Sequence, residues 1–179
     1  NTLTLLNQTE FKTVLVKGPA LSRSGYGEQT RFALRALRAH EDRFNILLIN
    51  IAWGKSGWIN DNSEERDWLD HLLQKTQEHI NRQLPIDIAL QVTIPNEWEK
   101  MAPVNVGYTA GIETTKVAPQ WIEKAGLMDR IITISNHSKD VYNNTKYLID
   151  QFVNYMSQGK SELEKDYEKE DFEKKLMVE

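Results

Sequence analysis

The sequence predicts an α/β fold: a Rossmann-like parallel sheet with helices on both faces, in a single domain followed by a C-terminal amphipathic helix. Short, almost wholly apolar runs such as VLV, ILLINI and IITI read as strands covered on both faces. Between them lie segments whose apolar residues recur at helical spacing. Strands alternating with helices in this way build βαβ units, whose sheets are parallel and whose crossovers are right-handed.

Residues 11–16 form the first predicted strand, with Val14, Leu15 and Val16 consecutive. Residues 27–39 follow as a helix, with Phe32, Ala33, Ala36 and Leu37 as its buried stripe. Residues 44–51 (FNILLINI) are the second strand, and AWGKSGWIND is a loop with two tryptophans and two glycines. Asn62 or Ser63 can cap a long helix whose first turn carries Glu64 and Glu65, favourable beside the helix dipole. Trp68, Leu69, Leu72, Leu73, Thr76 and Ile80 make its apolar face, and Pro85 ends it. Residues 86–92, 104–109 and 130–134 are the third, fourth and fifth strands, with the polar loop TIPNEWEKMAP after the third. Residues 119–126 form a short helix, and Ser135 can cap the helix that runs on through Val141. The domain spans residues 1–157. Residues 158–179 are dense in charge, yet Leu163, Tyr167, Phe172 and Leu176 recur at roughly helical spacing, as in a docked amphipathic helix.

The 179 residues suffice for one good-sized core. The absence of cysteine excludes disulfides and thiolate metal sites and points to a reducing, cytoplasmic setting. A net charge of −4 argues against a generic nucleic-acid binder. No apolar run approaches the roughly 20 residues of a transmembrane helix.

The loop after the first strand holds Gly18, Gly25 and Gly27 and opens into a helix. Glycines let backbone N–H groups approach a ligand, and a helix N-terminus attracts negative charge. Arg23 and Ser24 add donors beside Gly25, Tyr26 and Gly27, so the stretch suits a phosphate or carboxylate. Two stricter motifs fail. A dinucleotide fingerprint needs glycine where Thr30 stands and an acid where Asn50 stands, and a P-loop ending in Gly54–Ser56 needs glycine at Ile49.

Ligands of open parallel sheets bind beyond the C-terminal strand ends. The loops there carry Asn96 and Glu97 after the third strand, Glu113, Thr114 and Lys116 after the fourth, and His137 and Ser138 after the fifth. His71 and His79 have no companion ligands on their helix, and no metal site or bound cofactor is expected.

With SGYGEQTR, QVTIPNEW and VGYTAGIETTKVAPQWIEKAGLMDRIITISNHSKDVY, roughly residues 12–142 resemble the N-terminal, acceptor-side domain of GT-B glycosyltransferases of bacterial and phage type. The resemblance implies a nucleotide-sugar donor and a hydroxyl acceptor bound between two Rossmann-like domains. It matches Gly25 and Gly27 to the glycine loop near the donor diphosphate, and puts Glu113 and His137 on loops facing the cleft as catalytic candidates. Only 37 residues follow Tyr142 (179 − 142), too few for a second α/β domain, so the resemblance implies half of such an enzyme, inactive alone: either a truncated piece or a single-domain relative with a partner. A non-catalytic Rossmann-like module, binding a small anion or a partner protein, is the alternative.

Overall fold

The structure, a computed structural model, describes residues 11–145. The expected C-terminal helix lies outside the described residues. The elements are β1 (Lys12–Gly18), α1 (Gly25–Arg38), β2 (Phe44–Asn50), α2 (Glu64–Asn81), β3 (Ile88–Val92), β4 (Val104–Thr109), α3 (Pro119–Ala125), β5 (Arg130–Thr133) and α4 (Asn136–Asn144). Five strands form one parallel sheet in the order β2-β1-β3-β4-β5. The α/β, Rossmann-like class is therefore as predicted. No helix among the described residues is long and apolar enough to cross a membrane.

The described chain divides into two compact units, residues 11–92 with 101–104 and residues 93–100 with 105–145. In the first, Val14, Leu15 and Val16 of β1 and Ile46, Leu47 and Leu48 of β2 are buried together with Leu69 and Leu72 of α2. Thr76 of α2 donates to the Leu72 carbonyl and accepts from the Leu48 N–H, both at 2.7 Å. That hydroxyl satisfies a backbone donor of β2 at the sheet edge, where an open N–H would invite foreign strands. Ser63, of the two candidates, caps α2, accepting from the Arg66 N–H at 3.2 Å.

Two predicted faces are corrected. In α1, Phe32 is 59% exposed beneath the Arg35 guanidinium, Ala36 is also exposed, and the buried stripe is Gly27, Thr30, Arg31 and Leu34. Arg31 turns inward because its carbonyl acceptors, Ala20 and Ser22, lie there, a preference that hydrophobic spacing does not register. In α2, Ile80 is exposed and His79 is buried instead, its imidazole bonded to the Pro85 carbonyl at 3.0 Å.

The second unit is anchored on Trp98. A short 3₁₀ turn, Pro95–Glu97, follows β3 inside the predicted polar loop and delivers Trp98 into the core beside Ala125, Met128 and Ile131. Gly107 of β4 makes room for it, since a Cβ there would sit 2.5 Å from Trp98 Cζ2. A second cluster joins Val117, Ile122, Val141 and Tyr142, and Trp121 stacks on Tyr142 at 6.4 Å between ring centroids.

Candidate functional site

In the first unit the turn after β1 is built mainly from its own hydrogen bonds. The Ala20 N–H donates to the Gly18 carbonyl at 2.9 Å and the Ser22 N–H to the Pro19 carbonyl at 2.8 Å. Arg31, only 6% exposed, reaches back from α1 and donates to the Ala20 and Ser22 carbonyls at 2.6 and 3.0 Å. Its other guanidinium nitrogens bond Glu28 at 2.6 and 3.1 Å. Glu28 also receives Arg35, and these two arginines hold its carboxyl below the usual range. Asn50, standing where a dinucleotide-binding acid was sought, accepts the Leu21 N–H at 2.9 Å and so ties the end of β2 to the turn.

Ser24 is the N-cap of α1, accepting from the Gly27 N–H at 3.1 Å. Capping makes the helix begin two residues before its predicted start. The two glycines of the motif then differ. A Cβ on Gly27 would overlap the Ser22 carbonyl oxygen, whereas one on Gly25 would meet nothing within 4 Å. Gly27 is therefore required by the chain's own backbone, and Gly25 leaves open space at the first turn of the helix.

The loop after β2 completes this region, and sequence reasoning gave it no role. The Arg23 N–H donates to the Gly57 carbonyl at 2.8 Å, the Ile59 N–H to the Leu21 carbonyl at 2.7 Å, and Ser22 and Trp58 form an antiparallel bridge. Beneath the bridge the Ser22 hydroxyl meets those of Ser24 at 2.8 Å and Ser56 at 2.6 Å, and Ser56 donates to the Trp53 carbonyl. Tyr26 lies against Trp53, with ring centroids 4.7 Å apart. The exposed residues of this region include Arg23, Lys55, Asp61 and Trp58, whose indole is 56% exposed. Asp61 stands near Arg23, and its carboxyl is lowered chiefly by the Ser63 hydroxyl and N–H, with Arg23 and Arg66 adding attraction. Glycines and tryptophans just past a strand adjacent to β1 were the available signal for this loop.

In the second unit the loop after β4 turns at Gly111, whose φ of 82° suits glycine. Ser138 of α4 fills the space a Cβ there would need. Ser138 is 3% exposed and its hydroxyl accepts from Ser135 at 3.1 Å, so it holds the loop. Ser135 also caps α4, accepting the Ser138 N–H at 3.1 Å. Thr114 donates to the Lys116 carbonyl at 2.8 Å. The side chains of Glu113, Thr114, Lys116 and His137 are exposed, as are those of Asn96 and Glu97 on the 3₁₀ turn. Among the described residues no group of three His, Cys, Asp or Glu could hold a metal ion.

Each unit thus offers its own arrangement. The first presents two cations and an aromatic ring on a braced double loop. The second presents a carboxylate, an ammonium and an imidazole at the ends of β4 and β5. Compared with known proteins, the chain matches no family model, no curated protein and no solved structure.

Proposed function

We propose that this chain supplies the acceptor-side domain of a glycosyltransferase, which moves a sugar from a nucleotide-diphosphate donor to a hydroxyl acceptor. The supporting observation is positional. The loops that hold Arg23 and Ser24, Glu113 to Lys116, and the Ser135-capped start of α4 lie after the C-terminal ends of β1, β4 and β5, where open α/β sheets bind ligands. In this reading Arg23, Ser24, Gly25, Tyr26 and Gly27 approach the donor diphosphate. Lys116, in the second unit, is a candidate for binding a ligand's negative charge, and electrostatic stabilisation of that kind is a large contribution to phosphate-leaving steps. Glu113 is the candidate base for the acceptor hydroxyl and His137 a second candidate in proton transfer, with Asn96, Glu97, Thr114 and Ser138 lining or supporting the acceptor side.

A non-catalytic module, binding a small anion or a partner protein, is the second reading: Ser22, Ser24 and Arg31 are engaged within the loop, and the exposed cations Arg23 and Lys55 are what it offers. Thermal shift and amide NMR with a panel of nucleoside diphosphates, nucleotide-sugars and simple glycosides separate the two. The transferase reading expects a raised melting temperature with a nucleotide-sugar and shifts at residues 22–27, 113–116 and 136–138. Shifts from inorganic phosphate alone, with no preference for any nucleotide, would favour the module.

A further inference from the structure

At the end of β2 opposite the glycine loop lies a cavity of about 280 Å³ in the first unit. Phe11, Phe44 and Trp68 give it aromatic walls, and Glu41, His71 and Lys75 give it polar ones. Trp68, His71 and Lys75 stand at i, i+3 and i+7, so one face of α2 supplies a ring, an imidazole and an ammonium in a row. Its size is close to the lower bound of about 300 Å³ for small-molecule pockets and suits a ligand of one or two rings.

Glu41 and Lys75 are the charged residues of the lining, and two arginines stand nearby. Arg38 lies over the Trp68 ring at 4.7 Å and Arg43 over Phe44 at 5.9 Å, so a cation covers one face of two of the three rings. Lys75 is half-buried and makes no ion pair among the described residues. Burial lowers its ammonium pKa, and Glu41 offsets this only through space. A cation withdrawn from water without a bonded partner is unfavourable until an anion joins it.

We propose that this cavity binds a small aromatic carboxylate, its ring between Phe11, Phe44 and Trp68 and its carboxylate on Lys75. Glu41 on the same rim repels further negative charge, so the site selects monoanions. Nothing in this assignment depends on the transferase reading, because the cavity shares no residue with the loops that reading uses.

The test is an amide NMR titration of the full chain with indole-3-acetate and with its neutral isostere indole-3-acetamide. The acid should give saturable shifts at Phe11, at residues 44–46 and at residues 68–75. It should bind about tenfold more tightly than the amide, the scale of one charge-assisted hydrogen bond. Lys75→Met should abolish that preference while leaving amide binding within about twofold, since the butyl stem is replaced by one of similar length. Glu41→Gln should tighten acid binding about threefold, a gain that no loss of folding can mimic. Absence of saturable shifts, equal affinity for acid and amide, or an acid preference that survives in Lys75→Met overturns the proposal.

Discussion

The turn after β1 and the loop after β4 both follow a parallel strand, and they use their polar groups in opposite ways. In the first, Arg31, Ser22, Ser24, Asn50 and Ser56 bond to one another or to nearby backbone. In the second, Glu113, Lys116 and His137 are exposed, and the bracing falls to Ser135, Ser138 and Gly111. Polar residues alone therefore do not mark a site. Those whose hydrogen bonds are spent inside the fold shape the backbone, and those left facing water are the ones able to meet a ligand.

The largest expected effect that separates the two regions is at the glycines of the first. Gly27→Ala drives a Cβ into the Ser22 carbonyl and should cost about 3 kcal/mol, while Gly25→Ala stays within about 0.5 kcal/mol. Urea denaturation of both variants checks this, and equal midpoints would mean that the turn yields more readily than its hydrogen bonds suggest.

Arg31→Met comes next. It strips hydrogen bonds from the Ala20 and Ser22 carbonyls and should cost about 2 kcal/mol. Hydrogen exchange should accelerate at residues 20–24 and leave residues 110–117 unchanged. A uniform acceleration would contradict a local role.

A smaller effect is expected from pH. Glu28 has its carboxyl held below the ordinary value of 4.5 by Arg31 and Arg35. A carboxyl depressed in the folded state stabilises in full above its unfolded pKa, and loses that contribution as pH falls through the folded value. The side chain is 43% exposed, so screening limits the contribution to about 1 kcal/mol. Melting curves between pH 3 and 7 should show Glu28→Gln losing less stability on acidification than the parent chain.

Smallest of all should be the effect of Glu113→Gln and His137→Gln on stability, within about 0.5 kcal/mol, since both side chains are exposed and bond nothing described. If either proves markedly destabilising, the contrast between the two regions fails. If both are neutral yet alter nucleotide-sugar binding, the transferase reading gains its first functional residues.

Local chemistry alone was enough to read much of this molecule. Strand-like runs of five to eight residues located all five strands, and the pair Asn62 or Ser63, with Ser135, announced the starts of α2 and α4, because periodicity and capping act over a few residues. The parallel arrangement followed from the strand–helix alternation. Only the tertiary structure could decide which polar residues go inside. Arg31 takes the buried face of α1 and Phe32 does not, because the carbonyls of Ala20 and Ser22 wait there, while the buried Thr30 hydroxyl donates to the Tyr26 carbonyl of its own helix. Asn50 became a brace for the turn through a bond spanning 29 positions. Trp98 lies under a glycine of β4, and the tryptophan loop pairs with the glycine turn. Each of these depends on a partner distant in the chain, and a buried polar or aromatic group is set by the partner that satisfies it rather than by its neighbours in sequence.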